Sequence, residues 1–133
     1  MHRRPISPQF NDAICEGRKV TTIRRSPWPV GVPIQLYNWS GKPYASKQVP
    51  VAVVMCRGHN PVTIQRDAEG AVSFGVWGQK NKSIDAEQLT KWEGFACQED
   101  LEAWFRRLVK PGKPLVQCLN RFELFASIPP ALS

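Results

Sequence analysis

From Gly17 to Arg24 the chain reads Gly-Arg-Lys-Val-Thr-Thr-Ile-Arg, which gathers an amine, two guanidinium groups and two hydroxyls beside a glycine. Ile14-Cys15-Glu16 ahead of it has the character of a last helical turn, and Gly17 suits the position that ends one. The β-branched run after it is strand-forming. A helix-to-strand junction this polar sets its side chains at a rim. That rim is either a well-made turn or the mouth of an anion-binding or catalytic site, and the residue types favour the second. Arg24 in particular suits a phosphate or a developing oxyanion.

A second set of residues points the same way. Trp28, Tyr37, Trp39, Tyr44 and Trp77 fall on loops or strand ends, interleaved with Arg24, Arg25, Lys42 and Lys47. Tryptophan beside arginine suits stacking on bases, because every base has a π-face. The same aromatics also serve to anchor loops in a core, and Trp28 between Pro27 and Pro29 fits that use. The candidate binding set is therefore Arg18, Arg24, Arg25, Trp28, Trp39 and Tyr44. The net charge of +7, from eighteen Lys and Arg against eleven acids, favours polyanionic partners, nucleic acid first.

Composition excludes several other classes. Cys15, Cys56, Cys97 and Cys118 have no C-x-x-C spacing and sit in apolar settings, as buried free thiols do. His2 and His59 lack ligand-spaced companions, so no metal site is indicated and no cofactor is implied. No apolar run approaches the ~20 residues of a membrane span, and no signal-peptide core follows Met1–Arg4. The expectation is a cytoplasmic protein with no membrane partner, and the sequence specifies no oligomeric state.

The elements that must position these residues follow from local pattern. Arg3–Ile6 is a short strand, Ser7-Pro8 starts a helix, and Phe10, Ala13 and Ile14 face inward from it. Arg18–Arg24 is a strand, and Arg25–Val30 a loop because of its two prolines. Val32–Trp39 and Gln48–Arg57 are strands, the second the most apolar and central, with Pro50 at its start or on an edge. Gly58-His59-Asn60-Pro61 is predicted to break it. Val62–Arg66 and Ala71–Val76 form a hairpin, and Gly78–Ser83 a flexible basic loop. Ile84–Trp92 is helical, as is Gln98–Val109, with Leu101, Trp104, Phe105 and Leu108 on one face. Leu115–Phe125 closes the sheet. At 133 residues the chain makes one domain, residues 1–126, with a frayed tail at 127–133. The fold class is α+β, a small, partly closed β-barrel of about five or six mostly antiparallel strands with two or three flanking helices.

The Gly-Arg-Lys-Val-Thr-Thr-Ile-Arg run behind a short helix resembles the signature of the ASCH domain family. Glu93-Gly94-Phe95 before an amphipathic helix carrying Leu101 and Trp104-Phe105, then a final strand ending Phe122-Glu123-Leu124, follow in that family's order. The resemblance covers about residues 5–125 and implies a PUA-like barrel with a cleft. It also implies an RNA or modified-nucleoside partner. The small bacterial stand-alone members include enzymes that remove the acetyl group from the exocyclic amine of acetylcytidine. Carried over from them, the catalytic residues here are Lys19, Thr22 and Glu93. A threonine hydroxyl is inert at neutral pH without a base, and a lysine serves as base only when neutral, which burial promotes. Three residues apart on a regular strand, Lys19 and Thr22 would face opposite sides, so they converge only if the strand starts after a turn or bulge, which Gly17 suits, or if the long Lys19 stem wraps around the strand end. The alternatives are a non-catalytic RNA-binding module and an RNA-cleaving enzyme, the latter disfavoured by the lack of a histidine pair. The chain departs from the small deacylases by being longer in Tyr37–Ser83.

Overall fold

A computed structural model describes residues 1–79 and 82–128. Its longest element is β4 (Gln48–Arg66), a strand of 19 residues. Val51, Ala52, Val54, Cys56, Val62 and Ile64 are buried along it, the apolar supply that a central strand needs. The break expected at Gly58-His59-Asn60-Pro61 does not form. β3 (Pro33–Trp39) pairs with β4 only as far as Met55, and β5 (Val72–Val76) only from Val62. Between them, at Gly58–Asn60, β6 (Leu115–Ser127) alone carries the ladder, with a register shift between Cys56 and Gly58; on the other side Cys56 O accepts from the Gly31 amide at 3.0 Å and Pro61 O from the Trp77 amide at 3.3 Å. A stretch paired along one side tolerates the glycine and proline that a doubly paired stretch would not. Pro50 obeys the same rule: it faces Tyr37 of β3 before the β6 ladder begins at Ala52.

β1 (His2–Pro5) lies parallel to β3, and β2 (Thr21–Arg24) antiparallel to β6. The six-stranded sheet has the order β1-β3-β4-β6-β2, with β5 beside β4, and every pairing except β1 with β3 is antiparallel. Three helices accompany it among the described residues: α1 (Asn11–Cys15), entered through a 3-10 turn at Pro8–Phe10, α2 (Ala86–Glu93) and α3 (Gln98–Arg106). The molecule is thus α+β. The sheet, however, is not closed. Its outer strands β1 and β2 do not pair, and they are linked instead by Arg24, whose Nη2 donates to Pro5 O at 2.9 Å.

Two apolar clusters fill the interior. One joins Phe10, Ile14, Ile34, Leu36, Val54 and Phe122, the other Val62, Ile64, Phe74, Leu89, Leu101 and Phe105. Phe95 and Trp104 pack against both, so they stand where the clusters meet. α3 buries Leu101 and Phe105 as its pattern predicts, but it ends at Arg106, and Leu108 is 57% exposed while Val109 is buried in its place. Cys56 is buried and Cys15 and Cys118 half-buried, whereas Cys97, at the start of α3, is exposed. The β4–β5 hairpin forms as expected, while Lys80 and Asn81 of the basic loop and residues 129–133 of the tail lie outside the described residues. Ser127 belongs to β6.

Candidate active site at the open seam of the sheet

α1 ends in a tight hook. Gly17 adopts φ 73°, and the Arg18 and Lys19 amides both donate to Ala13 O, at 2.8 and 3.0 Å. The chain therefore leaves the helix abruptly, and β2 begins only at Thr21, later than the strand expected from Arg18. Lys19 sits on the hook rather than on the strand. That resolves the divergence expected of residues three apart on one strand: Lys19 and Thr22 line the same cleft.

Lys19 is 3% exposed. Its Nζ donates to the backbone oxygen of Glu93 at 2.7 Å and lies 4.5 Å from the Phe10 ring centroid. Opposite it α2 ends at Gly94, which has φ 80° and whose added Cβ would come within 2.9 Å of Lys19 Cβ. Only glycine combines that backbone with so close an approach. The Glu93-Gly94-Phe95 run thus has three local jobs: a carboxylate, a turn against Lys19, and an aromatic wall.

The Glu93 side chain, also 3% exposed, accepts a hydrogen bond from Thr21 Oγ1 and one from the Ile23 amide at 3.3 Å. Ile23 lies on an edge strand, so the carboxylate occupies the place of a further strand. At that position the edge N–H is therefore satisfied by a side chain instead of a neighbouring strand. Thr22 is buried, and its Oγ1 accepts from Arg24 Nε at 2.9 Å. With Nη2 on Pro5 O, Arg24 spans the seam and retains other N–H groups.

The cleft between the two outer strands has a volume of about 570 Å³. Lys19, Thr22, Arg24 and Glu93 supply its polar lining, and Trp39, Tyr44, Phe95 and Trp104 its aromatic walls. Burial pushes the Lys19 amine below the ordinary lysine range; the Glu93 charge opposes this and Arg24 adds to it. Arg24 is lowered for the same leading reason, again opposed by Glu93 and reinforced by Arg4. A hydroxyl, an amine of reduced basicity, a guanidinium and a carboxylate in one aromatic-walled cleft supply parts for attack on an acyl carbon and for charge stabilisation. A metal is not needed for that inventory, and among the described residues no three His, Cys, Asp or Glu side chains cluster as ligands.

The remaining candidates divide. Trp39 and Tyr44 line the cleft. Arg25 is exposed on the loop after β2. Arg18 is also exposed and does not line the cleft; its Nε donates to Glu16 Oε2 at 2.6 Å. Trp28 is a correction to the binding set. It is buried, stacks on Phe122 with centroids 5.9 Å apart, and donates its backbone N–H to the buried Asn120 Oδ1 at 2.9 Å, so the loop-anchoring use applies and its ring is closed to a base. Sequence reasoning missed Thr21, the hydroxyl that holds Glu93, and the cleft-facing part of Trp104. Both were hidden behind sound local readings, of a strand residue and of a core stripe.

Fold and site together define an α+β fold whose sheet opens, between its two outer strands, onto a cluster of basic side chains and a buried carboxylate. No protein-family model matches this chain, and no curated protein or solved structure matches it.

Proposed function

We propose that the chain is an ASCH-type domain, its sheet the PUA-like barrel of that family opened at the β1–β2 seam, and that the cleft receives a nucleoside or an RNA base. Within it an acyl group is removed from the exocyclic amine of a cytidine. The observation that carries this reading is the meeting of Lys19, Thr22 and Glu93 in one cleft, although Lys19 and Glu93 are 74 residues apart. In the proposed reaction Thr22 Oγ attacks the acyl carbon, and its proton passes to neutral Lys19. Arg24 stabilises the tetrahedral oxyanion. The C–N bond then breaks, and the departing amine takes the proton from Lys19. Water cleaves the acyl-threonine ester, releasing acetate. Glu93 orders the site through Thr21 and Ile23.

A second reading, a non-catalytic RNA-binding module of the cytoplasm, is favoured by one feature. Thr22 Oγ1 is already held by Arg24, and Lys19 Nζ by Glu93 O. The net charge of +7 suits either reading, because phosphate contacts release counterions. Purified protein incubated with acetylcytidine separates them. Release of acetate and cytidine supports the hydrolase. Binding of the nucleoside or of single-stranded RNA without release leaves the module, and the absence of both removes the nucleoside reading altogether.

A further inference from the structure

Tyr44 is the one non-glycine residue with positive φ among the described residues, at 63°. An aromatic side chain strains that backbone, and strain of this kind persists only where the surroundings hold it, most often at binding sites. Here the loop between β3 and β4 holds it. The Ser40 amide donates to Lys47 O at 2.8 Å, and Ser40 Oγ accepts from the Lys47 amide at 3.1 Å. Ser46 Oγ accepts from the Gly41 amide at 2.9 Å and donates to Lys42 O at 2.8 Å. The turn is cross-braced from both ends.

The fold gains little burial from this arrangement, since Tyr44 is 90% exposed. Its ring centroid lies 5.2 Å from that of Trp39, with the planes tilted by 49°. Trp39 in turn packs edge-on against the buried Tyr37, at 5.3 Å, which fixes the indole from behind. Both Trp39 and Tyr44 line the cleft that holds Lys19 and Thr22. A strained, braced and exposed ring beside a fixed indole is a surface prepared for a flat partner.

We propose that Tyr44 and Trp39 form a stacking ledge that selects substrates carrying the acylated amine on a planar heteroaromatic ring, against those carrying it on an alkyl chain. The inference rests on the nucleoside reading of the cleft and names what sets its selectivity. A base offers a π-face to the ledge, whereas the methylene chain of an acetylated lysine does not. Tyr44 is thus a specificity determinant that touches the ring, while the bond-breaking groups lie deeper.

Calorimetric titration of wild type, Tyr44→Asn and Tyr44→Phe with acetylcytidine, cytidine and N-acetyl-lysine tests this, with thermal unfolding of each protein and steady-state rates alongside. Asparagine accepts the left-handed backbone, so Tyr44→Asn unfolds at or above the wild-type temperature. Its affinity for both nucleosides falls about tenfold or more, while Tyr44→Phe restores binding. N-acetyl-lysine binds wild type and Tyr44→Asn equally weakly. With acetylcytidine as substrate, KM rises in Tyr44→Asn and kcat changes far less. Nucleoside affinity retained in Tyr44→Asn overturns the ledge, even if turnover is observed. Wild type that binds neither nucleoside overturns it too. Binding that depends on Tyr44 without acetate release keeps the ledge and overturns hydrolysis.

Discussion

Gly94→Ala is the substitution whose effect the structure specifies most fully. The new Cβ meets two separate penalties. Gly94 has φ 80°, where a Cβ crowds the backbone at a cost of about 1–2 kcal/mol. The Cβ would also stand 2.9 Å from Lys19 Cβ and 3.2 Å from Ala13 Cβ. Neither of those atoms is the far end of a flexible chain, so α1 and α2 must separate, an overpacking cost of about 1–3 kcal/mol. Together the loss is about 2–5 kcal/mol, a large share of the ~5–15 kcal/mol typical of a domain. Gly17→Ala provides the control. Gly17 has φ 73°, yet its added Cβ meets nothing within 4 Å, so only the backbone penalty of about 1–2 kcal/mol applies. Urea unfolding of both variants measures the difference. Equal destabilisation of the two would refute the claim that Gly94 is fixed by its contact with Lys19.

Two further outcomes follow from the buried polar groups. Thr21→Val keeps the side-chain shape but withdraws the hydroxyl from Glu93, and is expected to lower stability by about 1.5–3 kcal/mol in denaturant unfolding; an unchanged midpoint would show that Thr21 does not hold the carboxylate. For Lys19, burial lowers the folded-state pKa below the ordinary value of 10.5, so between the two values the unfolded chain binds the extra proton. Stability therefore rises with pH through that window and levels off above it. Lys19→Met should lack this slope, and a wild-type profile that is flat or falling there would contradict the assignment.

What the sequence made legible was whatever a short window determines. The helix hook at Gly17, the β-branched run of β2, the β4–β5 hairpin and the Leu101–Phe105 stripe of α3 each announce themselves in their own neighbours, and each appears. The misses are long-range. β4 passes through Gly58-His59-Asn60-Pro61 because β6, some sixty residues away, continues the ladder there. Trp28 looked equally ready to stack or to anchor, and Asn120 decides the matter from 92 positions along the chain. The capping of the outer Ile23 N–H by Glu93 was invisible for the same reason, since the two lie 70 positions apart. Within the site, the Lys19, Thr22 and Glu93 set came from motif resemblance, whereas Thr21 needed the observed register, since adjacent hydroxyls on a strand look alike in one dimension.

Whether the groups gathered in this cleft break an amide bond is measured most directly by acetate release from acetylcytidine by Thr22→Ala beside wild type. The proposed reaction predicts that wild type turns the nucleoside over and that Thr22→Ala loses at least ~100-fold in rate with an unchanged circular dichroism spectrum, because removal of a nucleophile costs far more than the loss of a binding contact. Lys19→Met behaves in the same way. Thr22→Ala that releases acetate within a few-fold of wild type would contradict the assignment of the attacking group, and wild type that releases none over hours while binding the nucleoside would contradict the chemistry itself.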